Sequence, residues 1–200
     1  MKQIVKTSIA TGMSLAALAG LVFVPTLQAS AAVDTKSTTI TATVAPVITL
    51  TAGAAVGFTL TPTAAVAESN ASNALTVSTN NSTGYNLTIA DSDATLTLTK
   101  GSDTIAASTN TYASPATLTT NTWGYAIPGG NFSASYTSQT DVATSTLKYT
   151  GITASAQVIK TTATTAASDA TTVWYAAKID TSKPTGNYVD TVTYTATTNP

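Results

Sequence analysis

The stretch of sequence that decides the fold reads Ala74-Leu-Thr-Val-Ser-Thr-Asn-Asn-Ser-Thr-Gly-Tyr-Asn-Leu-Thr-Ile89. Apolar and polar residues alternate in its two halves, which is the spacing that places every second side chain on one face of a β-strand. Its centre, residues 80–84, consists of Asn, Ser, Thr and Gly, which favour turns and tolerate positive φ angles. We therefore expect strands at 74–79 and 85–89 that pair as a hairpin.

The same alternation recurs along the chain and is clearest near its end. Val173-Trp-Tyr-Ala-Ala-Lys-Ile179 precedes a turn at 182–186. No segment after residue 31 has the 3.6-residue apolar period of an amphipathic helix. The pattern predicts one all-β domain, an antiparallel immunoglobulin-like β-sandwich spanning residues 32–200. The predicted strands are 38–44, 47–50, 74–79, 85–89, 95–99, 122–127, 156–159, 172–179 and 188–196, with loops at 61–72, 100–120 and 161–170 and a weakly patterned region at 131–155.

Residues 1–31 have the organisation of a secretory signal peptide. Lys2 and Lys6 form a basic start, the apolar run 14–24 follows, and Pro25 ends that run. A short apolar stretch with a basic flank and a breaker is typical of a signal that is removed on export.

Small residues provide the cleavage site. Ala29 and Ala31 fit the −3 and −1 positions that a signal peptidase recognises, so we place cleavage after Ala31. Cleavage after Ala32, with Ser30 at −3, fits equally well. An uncleaved N-terminal anchor is the alternative, since residues 7–24 approach the ~18–20 residues of a membrane span. We expect a secreted protein of the extracellular cell surface, which meets the membrane only transiently through its signal peptide.

Charge is scarce in this chain. Charged residues make up 8% of the sequence, against ~25% in an average protein, and arginine is absent. Removal of Lys2 and Lys6 leaves six lysines and nine acidic residues, a net charge of −3. Nucleic-acid binding requires a basic, arginine-bearing surface, so it is excluded as a function. Threonine occupies 46 of the 200 positions, suits pleated strands and keeps their outer faces soluble.

The residues on which most enzymes depend are missing. The chain has no histidine and no cysteine, which removes most metal sites, thiol chemistry and the usual general base. Glu68 is the only glutamate, and the aspartates mostly fall at predicted turns. We therefore expect a non-enzymatic protein without catalytic residues, cofactor or metal. The remaining enzymatic alternative is hydrolysis of surface glycans by two carboxylates.

Two pairs of charged residues could have more specialised roles. Asp91 and Asp93 offer carboxylates to a calcium ion, but no further acidic cluster follows, so a structural turn is the preferred interpretation. Lys178 and Asp190 lie in predicted strands, where an intramolecular isopeptide bond would need its partners. We expect both of them to face solvent instead.

Aromatic residues are the candidates for a partner surface. Trp123 and Tyr125 share one strand face, where large aromatic side chains usually belong to the core. Trp174 and Tyr175 are neighbours in a strand and must point to opposite faces, so one of them faces outward. We expect core positions for Trp123, Tyr125 and Trp174. This leaves Tyr175 as the outward residue, and Trp174 and Tyr175 are kept as possible contacts for a partner.

The last segment, Lys183-Pro-Thr-Gly-Asn-Tyr-Val-Asp-Thr-Val-Thr-Tyr-Thr-Ala196, resembles the closing strand of exported bacterial sandwich proteins. Spore-coat-protein-U-like pilin subunits end in a similar Gly-x-Tyr-x-Asp-x-Val pattern. WxL-domain proteins, which bind Gram-positive cell walls non-covalently, end similarly; Tyr194-Thr-Ala196 and Tyr85-Asn-Leu87 stand where that family has Trp-x-Leu. Thr79-Asn-Asn-Ser-Thr-Gly-Tyr85 and Asn121-Thr-Trp-Gly-Tyr125 make the chain most similar to uncharacterised surface proteins of ultrasmall candidate-phyla bacteria.

These observations predict an exported structural or interaction protein that is adhesin-, coat- or pilin-like. Its partners would be further copies of itself, or a cell-wall or host-surface ligand. The resemblance implies a WxL-like module that binds peptidoglycan as the alternative. If copies exchange strands, we expect an open sheet edge near residues 38–44, where a strand of another chain would add.

Overall fold

A computed structural model describes residues 32–63, 65–93, 95–127 and 148–200. The predicted signal peptide with Ala31, and most of the weakly patterned region 131–155, lie outside the described residues. The chain divides into two units, residues 1–42 and 43–200. Residues 32–42 of the first unit form no regular secondary structure. No helix within the described ranges has the length and apolar character needed to cross a membrane.

All the strands of the described residues lie in the second unit and form two sheets. They are β1 (Ile48–Ala52), β2 (Ala67–Thr79), β3 (Tyr85–Asp91), β4 (Thr97–Lys100), β5 (Asp103–Ala107), β6 (Thr122–Ala126), β7 (Gln157–Thr161), β8 (Ala166–Ile179) and β9 (Val192–Thr198). One sheet has six strands in the order β1-β2-β8-β6-β5-β4, and the other has three in the order β7-β3-β9. Every pair is antiparallel except β5–β6, which is parallel.

The long strand β8 is the centre of the six-stranded sheet. It pairs with β2 on one side, from Ala67 opposite Ile179 to Thr79 opposite Ala166, and with β6 on the other. Its alternate side chains Val173, Tyr175 and Ala177 point into the core between the sheets. Because β8 has ladders on both edges, it fixes the position of the strands on each side.

The core lies between the two sheets. Leu75 and Val77 of β2 face Tyr85, Leu87 and Ile89 of β3, and all five side chains are fully buried. Burial of side chains this large contributes about 1.5–3 kcal/mol each. The prediction of an all-β fold with two packed sheets is therefore confirmed.

The predicted hairpin of 74–79 with 85–89 is wrong. Both strands form, but β2 belongs to the six-stranded sheet and β3 to the three-stranded one. Gly84 has a φ of +82°, and residues 80–84 carry the chain from one sheet to the other. Alternation shows which face of each strand is apolar, and two such faces can meet across a core as well as side by side.

Several boundaries also differ from the prediction. Residues 38–44 form no strand, because alternation makes a strand only where the segment pairs with a neighbouring strand, and this segment has no such partner among the described residues. The predicted loops 61–72, 100–120 and 161–170 contain the start of β2, the whole of β5 and the start of β8. These stretches are rich in Ala, Ser and Asn, which are less typical of strands, and the pairing partners determine their conformation.

Candidate functional site

The segment of residues 38–44 is the most exposed apolar part of the described chain. Ile40 is 90% exposed and Val44 is 81% exposed, and Ala42 between them is exposed as well. The intervening threonines give the segment one apolar face and one hydroxyl face if it becomes a strand. Leaving an Ile or Val in water forgoes about 1.5–3 kcal/mol of burial energy, so such a segment favours a partner.

The chain that follows this segment is held firmly by Asn80. The Asn80 side-chain amide donates to Ala45 O at 2.8 Å, and its Oδ1 accepts from Val47 N–H at 2.8 Å. Thr79 Oγ1 also donates to Val47 O, at 2.8 Å. The turn after β2 thus fixes the point at which the chain enters β1.

The strand β9 is an edge of the three-stranded sheet. It pairs with β3 from Val192 opposite Asp91 to Thr198 opposite Tyr85, and within the described residues it has no ladder on its other side. Its core-facing side chains Val192, Tyr194 and Ala196 are only half-buried, whereas those of β3 are fully buried. Strand β1 lies near β9 without forming a ladder with it, so the second edge of β9 has no strand partner among the described residues and its apolar side chains are only partly covered.

Three carboxylates meet beside the start of β9. Asp91, Asp93 and Asp190 each place a carboxylate oxygen within 4.8 Å of the others. The β3–β9 pairing brings Asp190 there, because Asp91 lies opposite Val192. Asp91 Oδ1 accepts from Asp93 N–H at 2.9 Å, and Asp93 Oδ1 accepts from Thr95 N–H at 2.8 Å, so the predicted turn at 91–93 is confirmed.

The proximity of these acids changes the titration of Asp190. Burial is the main cause that raises the pKa of Asp190 from 3.8 to about 6; the charges of Asp91 and Asp93 act in the same direction, and a hydrogen bond from Thr191 N–H acts against them. A proton on Asp190 relieves the repulsion, as a cation would. Calcium takes six to eight oxygen ligands, and the three carboxylates provide only part of such a set.

A cavity lies against β5, β6 and β7. Its volume is about 570 Å³, and its wall includes Tyr112, Tyr125, Ile152 and Gln157 but no Asp or Glu among the described residues. The three clustered carboxylates stand closer together than the ~5–10 Å of a glycosidase pair. This geometry does not favour the glycan-hydrolysis alternative.

The neighbouring aromatic residues Trp174 and Tyr175 of β8 point to opposite faces of the sheet. Tyr175 is 7% exposed and lies in the core, where its hydroxyl shares a short hydrogen bond with that of Tyr194, so the prediction of an outward Tyr175 is wrong. Trp174 is half-buried on the opposite face and packs against a second cluster that includes Tyr149. Trp123 and Tyr125 are core residues, as predicted. Trp174 remains the candidate of this pair for contact with a partner.

Lys178 and Asp190, which were expected to face solvent, are both partly buried. Lys178 Nζ lies 3.5 Å from Glu68 Oε2, whereas Asp190 lies in the acidic cluster, so Lys178 and Asp190 are not neighbours. The buried lysine is Lys160 of β7, whose Nζ is 2.6 Å from Asp169 Oδ1. Lys160 sits in a short strand of mixed composition, and no sequence signal marks it as buried.

The two tripeptides that stand at the Trp-x-Leu positions lie on neighbouring strands and meet at one ladder pair. Leu87 is opposite Ala196, and Ile89 is opposite Tyr194, in the β3–β9 ladder. Tyr85 and Leu87 are fully buried, so their side chains serve the core.

No protein-family model matches the chain, and neither a curated protein nor a solved structure is similar to it.

Proposed function

We propose that this protein is exported and acts at the cell surface as a non-enzymatic structural or interaction protein built on an immunoglobulin-like sandwich. The observation that carries the proposal is the exposed apolar face of residues 38–44, with Ile40 at 90% and Val44 at 81% exposure. Burial of such a surface against a partner lowers the free energy of the system, so the surface favours binding. The signal-peptide pattern of residues 1–31 supports the location.

The low charge and abundant threonine of the chain support the same role. Strand β9 presents Thr193, Thr195 and Thr197 to solvent, which keeps an outer sheet face hydrated without charge. Such a face suits a protein that is packed among copies or ligands, because few charges have to be desolvated on contact.

Export is tested by expressing the full chain in a bacterial host and determining the N-terminus of the secreted product. The secreted protein should begin at Ala32 if cleavage follows Ala31, or at Val33 if it follows Ala32, as read by N-terminal sequencing. Ala31→Leu should block the first cleavage and Ala32→Leu the second, because bulky residues do not fit the −1 position. Recovery of the uncleaved chain in the cytosol would contradict export.

The interaction half is tested by electron microscopy and sedimentation of the exported protein. Filaments or coats indicate assembly, whereas pelleting with purified peptidoglycan indicates the WxL-like alternative. A monomer that binds neither itself nor an envelope fraction would contradict the interaction role.

A further inference from the structure

We propose that residues 38–44 of one copy add as a fourth strand to the open edge of β9 in a second copy. The inference rests on the interaction role proposed above but not on the cellular location. It reverses the sequence-based expectation, in which residues 38–44 were the receiving edge, because the structure has no strand there.

The two segments match in length and in pattern. Residues 38–44 read Thr-Thr-Ile-Thr-Ala-Thr-Val, and β9 reads Val-Thr-Tyr-Thr-Ala-Thr-Thr over seven residues. Each has apolar residues at every second position and threonine between them. Strands paired in register keep their like faces together. The added segment would therefore place its apolar face on the core side and its threonines on the outer side.

The added strand would cover the half-buried apolar side chains of β9. Val192, Tyr194 and Ala196 face the core but remain half-buried. Ile40 and Val44 would lie beside them and leave water, while the free edge of β9 would gain backbone hydrogen bonds. Burial of these apolar side chains and pairing of the free backbone groups both favour association.

Nothing in either segment blocks strand addition. Natural edge strands are commonly protected by charged residues or proline. Residues 38–44 and 192–198 contain no charged residue and no proline. Pro46 lies just outside the proposed strand and separates it from β1.

A second copy is the occupant because a single copy leaves these residues unsatisfied. Residues 38–44 form no ladder with any described residue of their own chain, and Ile40 and Val44 stay exposed. Each copy carries one donor segment and one receiving edge, so the contact is heterologous. Heterologous contacts build rings when they close and open filaments when they do not.

The first test is association measured by sedimentation velocity over a concentration series, on the protein in the form that its host exports. Thr41→Pro removes a backbone donor in the middle of the proposed strand, and we expect it to weaken association by about tenfold or more. Thr35→Pro is the matched control, since Thr35 is also exposed but lies outside residues 38–44. Equal association of the two variants, or a monomer throughout, would overturn the proposal.

The second test uses disulfide trapping, which is clean because the chain has no cysteine. Thr41→Cys and Thr195→Cys are made as separate variants, mixed and oxidised, so that a bond between positions 41 and 195 can only join two copies. We expect this mixed dimer to form, and to exceed the product of Thr35→Cys mixed with Thr195→Cys. A chain that carries both Thr41→Cys and Thr195→Cys, oxidised in dilute solution, reports the competing arrangement. If it closes on itself while the mixed variants stay apart, the segment occupies its own edge and the inference fails.

The two proposals can fail separately. Assemblies trapped through positions 41 and 195 in a cytosolic protein would contradict export but not strand addition. An exported monomer that binds cell wall would contradict strand addition but not the surface role.

Discussion

Lys160 Nζ of β7 lies 2.6 Å from Asp169 Oδ1 of β8, and this ion pair joins the two sheets across one end of the core. The Lys160 side chain is 4% exposed and that of Asp169 is 30% exposed. Lys160 also donates to Ala170 O at 3.1 Å, and the Tyr85 hydroxyl donates to Asp169 Oδ2 at 2.8 Å. The lysine therefore depends on its partner more than the aspartate does.

This asymmetry predicts unequal losses of stability. Asp169→Asn leaves a buried ammonium without a counter-charge and should lower the free energy of unfolding by about 3 kcal/mol. Lys160→Met keeps the buried aliphatic stem and leaves a partly solvated carboxylate with its Tyr85 hydrogen bond, so the loss should be about 1 kcal/mol. Urea denaturation of both variants measures the difference. The double variant should lose less than the two single losses combined, and strict additivity would count against a coupled pair.

The contribution of Asp190 to the free energy of unfolding decreases as the pH rises. Burial and two neighbouring carboxylates raise its pKa from 3.8 to about 6, so the folded state holds the proton more tightly than the unfolded state. Its contribution is therefore fully present below pH 3.8 and is lost as the pH rises through about 6. Asp190→Asn should remove this dependence and gain stability relative to the parent protein between pH 4 and pH 7. Asp34→Asn, at an exposed aspartate, is the control and should leave the profile unchanged.

The hydroxyls of Tyr175 and Tyr194 hydrogen-bond to each other between the two sheets. Burial raises the pKa of Tyr194 from 10.0 to about 12, and it also raises that of Tyr175. Because the folded protein disfavours ionised tyrosine here, this contribution is fully present below pH 10 and is lost as the pH rises towards 12. We expect the tyrosinate absorbance of these two residues to appear only above pH 10, together with unfolding. Either Tyr→Phe change should cost about 1–2 kcal/mol, and the double change little more, since the first already breaks the bond.

Gly84 and Gly101 form a matched pair for testing the crossover between the sheets. Both have positive φ, +82° and +61°, but a Cβ at Gly84 would stand 2.3 Å from Thr162 O, whereas none of the surrounding atoms lies within 4 Å at Gly101. Gly101→Ala should cost about 1 kcal/mol, from backbone strain alone. Gly84→Ala adds a collision with backbone and should cost at least ~3 kcal/mol or prevent folding. Similar melting temperatures for the two variants would contradict this account of the turn.

The sequence located most strands because their buried residues alternate. Tyr85, Leu87 and Ile89 show the period of two, and so do Leu75 and Val77, which is why β2 and β3 could be placed. Which sheet each strand joins could not be read from that pattern, because both faces of a sandwich core are apolar. The choice depends on the long-range pairing of β2 with β8 and of β3 with β9.

Within the candidate sites, only the residues that are close together in the sequence could be predicted. Asp91 and Asp93 were recognised as a turn with carboxylates, but Asp190 reaches them through the β3–β9 register, which no local pattern encodes. The exposed face of residues 38–44 was visible as an alternating run. Its lack of a ladder could not be foreseen, since strand pairing depends on long-range contacts that the local pattern does not encode.

The pairing of β2 with β8 has a consequence for the order in which the molecule can form. Ala67 meets Ile179, so the central ladder closes a loop of more than half the chain. Closing such a loop costs conformational entropy before the stabilising contacts of the ladder can form. Folding is therefore slow compared with that of helical proteins of similar size. The two ladders of β8, with β2 and with β6, must therefore wait until residues 166–179 have been synthesised. A chain whose central strand is made late stays unfolded for longer during synthesis, which is compatible with the export proposed above.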